Sequence, residues 1–322
     1  VTGGPVYYIR AAFKGAFGKA LAAIFAILIV LALGFTGNMV QSNSIGAAFS
    51  EVFSARNIEI PSIVFGLILA AVIGFIFLGG VNRLASVVEK IVPIMAGIYI
   101  VGSLVLILMN ITALPEAIKM IFVGAFNPEA VVGAGAGIAV REAIRFGVAR
   151  GLFSNEAGMG STPHAHARAK VENPHKQGLA AMISVFIDTF IILNLTVFSI
   201  LTTGVLDSGK EGTALTQAAF TKGFGNFGDI FVAVCLLFFA FSTILGWHFF
   251  GEVNVKYLFG EKAAKFYSIL VIGFVIVGST LKVQLVWSLS DFFNGLMVIP
   301  NAIALWALSG VVVKICKQYG KK

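Results

Sequence analysis

The chain has 322 residues, 58% of them apolar and only 12% charged, with a mean hydropathy of +0.95 and a net charge of +8. A water-soluble domain carries about 25% charged residues, so this composition excludes a soluble globular fold. Apolar runs such as Leu21–Leu33 and Ile191–Leu201, extended by their flanks, approach the length that crosses a ~30 Å hydrocarbon core. They are continuous rather than alternating, which excludes a β-barrel and leaves helices as the spanning element. The expected fold class is therefore an all-α polytopic membrane protein forming one transmembrane domain over 1–322. Val1–Ala16 lacks the apolar stretch of a signal peptide, and with Val rather than Met first the chain reads as starting inside a longer protein.

In chain order, eight spans are expected at 20–49, 62–80, 91–112, 134–161, 179–203, 229–250, 266–281 and 297–313. The first is long enough to tilt or protrude. The stretch 283–296, with Gln284, Trp287, Asp291 and Asn294, is amphipathic and reads as a short helix that does not span by itself. With the N-terminus inside, the inner segments hold fifteen Lys and Arg and the outer ones five. That bias places both chain ends in the cytoplasm. It also accounts for the basic pI by topology, so no nucleic-acid partner is expected. Cys235 and Cys316 read as buried free thiols rather than a disulfide.

The fourth span is interrupted. Gly151, the polar triplet Ser154–Asn155–Glu156 and glycines 158 and 160 break what should be a continuous helix. Unwound backbone at membrane depth survives only where protein or a wet cavity surrounds it. Carbonyls before such a break suit a cation, and amides after it suit a carboxylate. Ser154 or Asn155 would cap a new helix starting after Asn155. Glu156, an ionisable group at that depth, is a functional candidate by default. A glycine-rich helix contact ending in a membrane-edge loop would explain the same residues.

Other polar positions stay open between two roles. Asn38, Gln41 and Asn43 lie within six residues of an apolar span, either bonding across helices or lining a cavity. Ser242 and Thr243, with the Phe239 carbonyl, form either an oxygen set suited to sodium or ordinary back-bonded hydroxyls. Thr243 shares a helix face with Trp247. Asp188 and Asn194 read as structural partners in helix contacts. Glu142 can reach Arg145, with Arg141 beside them near an outer entrance. His164 and His166 face different sides of a helix with no acidic partner near, so they read as part of a solvated loop, not a transition-metal site. GMGST lacks the lysine and preceding strand of a phosphate loop.

Several blocks closely resemble the signature of the alanine/glycine:cation symporter family. They are GLFSNEAGMGSTPHA at 151–165, GGPVYYI at 3–9, GNMVQSNS at 37–44, IDT at 187–189, AFSTILGW at 240–247 and SDFFNGLMVI at 290–299. They run in the family's order along essentially the whole chain. The resemblance implies a leucine-transporter-like fold of two inverted five-helix repeats around a midplane site, the present spans being core helices three to ten. It implies symport of alanine or glycine with sodium, or with protons, in the plasma membrane of a prokaryote, and a preceding part of the protein that completes the site. By the same resemblance Gln41, Phe153, Asn155, Gly158, Met159, Gly160, Thr243 and Trp247 meet the substrate, with Phe153 and Met159 limiting its size. Ser242, Thr243 and Phe239 hold sodium, and Asn38, Asn43 and Glu156 are secondary candidates. No enzyme activity, no cofactor beyond the coupling ion and no obligate protein partner is expected. An ion channel, or a carrier of the same fold with another substrate, is the competing reading, and the single asymmetric break argues against a channel.

Overall fold

A computed structural model describes residues 2–78, 80–126 and 136–320, and the first residues of the expected fourth span lie outside these. The described residues are helical with short connections. The helices are α1 (Pro5–Ala12), α2 (Gly15–Ser54), α3 (Ser62–Leu78), α4 (Gly80–Met109), α5 (Leu114–Phe126) and α6 (Ala136–Asn155). They continue as α7 (Pro163–His166), α8 (Pro174–Thr203), α9 (Gly212–Phe224), α10 (Gly228–Phe259), α11 (Glu261–Thr280) and α12 (Val283–Tyr319).

Six described segments are long and apolar enough to cross a bilayer: Gly15–Ser54, Ser86–Met109, Pro174–Thr203, Gly212–Phe259, Glu261–Thr280 and Val283–Tyr319. Ser62–Phe77 is apolar but shorter. α6 carries Arg141, Glu142, Arg145 and Arg150 and so falls outside that group. The protein is an integral multi-pass membrane protein. Its outer surface is correspondingly apolar: Trp306 is 84% exposed, and Met182, Phe186 and Phe190 stand out from α8.

The helices run further than the apolar runs alone suggest. Residues 283–296, expected as a separate short helix, are continuous with the last span in α12, which passes through Pro300. Proline removes one backbone donor but is tolerated in membrane helices whose neighbours re-satisfy the freed carbonyl. Stretches expected as loops are also helical, as α5 and α9 show. Cys235 is buried, whereas Cys316, near the end of α12, is exposed, against the expectation that both are buried.

α2 is the central element. α10 and α11 both pack along it, and α12 packs against its middle. The core between them is built from Phe25, Ile29 and Leu33 of α2, Ile244 and Leu245 of α10, Val271 and Val275 of α11 and Met297 of α12. Among the described residues two stretches are wound as π-helix: Val30–Gly37 in α2 and Ile187–Ile192 in α8. In the first, the Thr36 hydroxyl donates back to the carbonyls of Leu31 at 3.0 Å and Ala32 at 2.9 Å. Such wider turns occur mostly as local bulges, frequently at functional sites.

Side-chain amides tie the helices together. Asn43 Nδ2 donates to the carbonyls of Gly278 at 2.9 Å and Leu281 at 2.7 Å, closing the end of α11 onto α2. Arg56, just past α2, pairs with Asp229 at the start of α10 at 2.7 Å and also donates to the Asn226 carbonyl. Replacing Asn43 with Ala removes the side-chain donor from both carbonyls and leaves that of Leu281 unpaired. We expect that variant to lose about 1–2 kcal/mol of stability, read as a lowered midpoint in thermal unfolding of the detergent-solubilised protein.

Candidate functional site

The helix ending at Asn155 is followed by seven residues that cannot continue it. Glu156 has φ +54°, Gly158 +81° and Gly160 +89°. The left-handed region is routine for glycine and costly for a residue with a Cβ. Gly160 has a second reason to lack one, because a Cβ there would lie 2.8 Å from Asn301 Cγ and 2.9 Å from Phe25. The next helix therefore begins at Pro163, not after Asn155, and is only four residues long. Neither expected cap acts as one. The Ser154 hydroxyl donates to Asp188 Oδ2 at 2.8 Å. Asn155 Nδ2 donates to Thr189 at 3.1 Å, while its Oδ1 accepts from the Ala157 N–H at 3.0 Å. The end of α6 is thus fastened to the π-helical turn of α8, and Asp188 has the structural role its sequence context suggests.

Two side chains, Asn301 and Glu156, hold the unwound segment. Asn301 of α12, buried at 1% exposure, donates through Nδ2 to the Gly158 carbonyl at 2.7 Å, and its Oδ1 accepts from the Tyr8 hydroxyl. The Glu156 carboxylate accepts from the Trp247 indole N–H at 2.6 Å and from the Ser161 hydroxyl. Among the described residues, the N–H groups of Gly158, Gly160, Ser161 and Thr162 meet no acceptor, and the carbonyls of Phe153, Ser154 and Asn155 meet no donor. Unpartnered carbonyls therefore precede the break and unpartnered amides follow it, at a helix end that favours a cation.

The aromatic wall stands beside this backbone. Phe153 meets Trp247 edge to face at 5.2 Å between ring centroids and Trp287 at 4.8 Å. Gly37, at the end of the first π-helical stretch, lies under the indole, where a Cβ would come within 2.7 Å of Trp247 Cζ3. Gln41 is one turn further along the same helix face. It is half-buried and finds no hydrogen-bond partner among the described residues. Thr243, one turn before Trp247, is half-buried. Its hydroxyl and that of Ser242 both donate to the Phe239 carbonyl at 2.9 Å, the back-bonded arrangement of hydroxyls within one helix.

Other expected residues are engaged elsewhere. Met159 is 1% exposed and packs in the core with Phe25, so its side chain belongs to the packing under the segment. Asn43 serves the helix contact described above, and Asn38 Nδ2 donates to the Gly34 carbonyl of its own helix at 2.9 Å, while its buried Oδ1 has no partner. Asn194 bonds back to Thr189 and Phe190.

His164 corrects an expectation. In place of a solvated loop residue, it is 1% exposed, stacked on Phe25 and tilted against Phe250. Its Nδ1–H donates to the Ser161 carbonyl at 2.7 Å and its Nε2 accepts from Asn254 at 2.8 Å, an arrangement that fixes the neutral tautomer. His166 is half-buried and pairs with Gln177.

A sequence model of the sodium:alanine symporter family matches residues 1–322. The chain belongs to the sodium:alanine symporter family. It is 41% identical to the amino-acid carrier protein AlsT of Bacillus subtilis, over 99% of this chain and 66% of that one. It is 40% identical to the probable sodium/glutamine symporter GlnT of the same organism, over 99% of this chain and 65% of that one. The sodium/alanine symporter AgcS of Methanococcus maripaludis is 37% identical over 100% of this chain and 70% of its own. This family member thus spans about two thirds of the length of these relatives, all of which are transporters rather than enzymes.

Sequence reasoning missed several residues of the family member's site. Asn301 and Tyr8 carried a signal, an amide inside an apolar run and a tyrosine inside the GGPVYYI block. Arg150 and Asp291 pair bidentately at 2.6 and 2.9 Å, with the guanidinium stacked 4.0 Å over Trp287. Nothing local links them, since 141 positions separate the two. Arg145 and Glu142 do pair locally, at 3.4 Å.

Burial pushes the His164 imidazole down from its ordinary value to about 4. Its neutral form is favoured in the folded protein, so its contribution to stability is complete above the unfolded value near 6.5. It is lost as the pH falls toward 4, by up to roughly 3 kcal/mol. Thermal unfolding of the solubilised protein between pH 7 and 4 should show this acid loss in the parent and a flatter profile in His164→Gln.

Proposed function

We propose that the protein carries a small neutral amino acid, alanine or glycine, into the cell together with sodium, by alternating access around the unwound segment between Asn155 and Pro163. The observation that carries this reading is the meeting of that segment's unpartnered carbonyls and amides with the Phe153–Trp247–Gly37 wall. Carbonyls at a helix end suit a sodium ion, free amides suit a carboxylate, and two large rings close on a glycine beside them. The bulk of the two rings beside the segment supports alanine or glycine over a larger amino acid. Family membership supports sodium coupling, and the transport activities named for AlsT and AgcS are in keeping with it.

In this reading Gln41, Phe153, Asn155, Gly158, Gly160, Thr243 and Trp247 contact the substrate. Ser242, Thr243 and the Phe239 carbonyl receive sodium once the two hydroxyls turn their protons away. The fold is the leucine-transporter-like inverted repeat, the membrane is the plasma membrane, and the charge bias supports cytoplasmic chain ends.

The deciding experiment is uptake of labelled alanine into proteoliposomes containing the full-length protein, driven by an inward sodium gradient. Uptake unchanged both by removing sodium and by collapsing the proton gradient overturns symport. A competition panel that inhibits better with glutamine than with alanine overturns the substrate assignment. Thr243→Ala and Gln41→Ala should each lower alanine uptake about tenfold or more, with expression intact. Normal uptake by both variants refutes the assignment of the site.

A further inference from the structure

Glu156 has no role in the reading above, yet it occupies a conformation that a residue with a side chain adopts at a cost. Among the described residues only Asn57 and Glu156 hold positive φ without being glycine, and Glu156 is flanked two and four positions later by glycines in the same region. Strained backbone of this kind persists where the surroundings over-determine it. The surroundings here are specific. One carboxylate oxygen accepts from Trp247 Nε1 at 2.6 Å, the other from the Ser161 hydroxyl. Both donors are neutral, and no Lys, Arg or His among the described residues forms an ion pair with it. The carboxylate is not half of a salt bridge. It is a brace between α10 and the far end of the unwound segment.

The braced ring is confined on its other sides as well. Trp247 is 3% exposed, its six-membered ring lies against Gly37, and it meets Phe153 edge to face. Of these contacts, the bond to the Glu156 carboxylate is the one that aims the indole N–H at a single acceptor. We infer that Glu156 is a positioning residue that fixes the Trp247 indole and so sets the upper size limit of the substrate. This inference rests on the reading that Phe153 and Trp247 bound the substrate site. The substrate class it implies is an α-amino acid with a side chain no larger than a methyl group. Loss of the brace turns the site toward larger aliphatic amino acids.

The test compares Glu156→Gln, Glu156→Ala, Glu156→Gly and Trp247→Phe in the full-length protein in proteoliposomes. A glutamine keeps an oxygen for the indole N–H and an amide for the Ser161 hydroxyl. Alanine removes the brace but is strained at this φ, so glycine, which fits the backbone, is the companion variant. The readout is the ratio of leucine to alanine uptake. It should rise about tenfold or more in the Ala, Gly and Trp247→Phe variants and stay within about threefold of the parent in Glu156→Gln. Adding Glu156→Gly to Trp247→Phe should raise the ratio little further, because the indole–carboxylate bond is already gone. A merely structural role lowers both uptakes in proportion and leaves the ratio unmoved, which overturns the inference. Loss of alanine uptake in Glu156→Gln equal to that in Glu156→Gly also overturns it, because it makes the negative charge the required property. A second measurement is independent of transport: with every other tryptophan replaced by Phe, the Trp247 emission should shift in Glu156→Gly and not in Glu156→Gln. A shift without any alanine uptake by the parent refutes the proposed function while the brace stands. An unmoved emission refutes the brace.

Discussion

A backbone that leaves the helix inside an apolar surrounding must find other partners for its N–H and carbonyl groups, and that demand organises the middle of this protein. The segment after Asn155 meets part of it through two side chains, and a third side chain braces the turn. Asn301 supplies a donor to Gly158. Asn155 returns a side-chain acceptor to Ala157. Glu156 and Ser161 satisfy each other across the turn, with Trp247 joining from α10. What these partners leave over is a short set of free carbonyls and amides, on which the proposed site rests. The polar groups of the site are therefore the remainder of a structural problem, and the positions that solve the rest of it are as constrained as the site itself.

The two π-helical stretches belong to the same arrangement. One ends at Gly37, directly under the Trp247 ring, and the other receives Ser154 and Asn155. A π turn takes up an extra residue and shifts the following face, so each aims a particular residue at the unwound segment without interrupting its own helix. α2 and α8 thus stay long and packable while their centres are adapted to the neighbouring irregular backbone.

Much of this was legible in the sequence, for physical reasons that also explain the rest. Apolar runs with few charges leave no alternative to membrane helices. Glycines 158 and 160 beside a polar triplet mark a break because no ordinary span tolerates that combination. The π turns were invisible because they use the same apolar residues as the α-helix around them. The amphipathic character of 283–296 suggested a boundary that the packed helix does not need. His164 sat among polar and charged neighbours and so read as solvated; its partner Asn254 is 90 positions away, and only the folded chain brings α10 over it. Arg150 and Asp291 were hidden by the same distance problem. Local pattern reveals what a segment is, and long-range pairing reveals what it touches.

The separation that hid these pairs also orders events in time. Asn301 joins Gly158 across 143 positions and Tyr8 across 293. During synthesis, therefore, every helix up to α11 can enter the bilayer before the residue that clasps the unwound segment has been made. Contacts this distant in sequence form late, because chain closure must precede any gain from them. The nascent chain must hold its least regular stretch unclasped until α12 arrives, so chain interruption before α12 is a direct route to an unfinished, degradation-prone carrier.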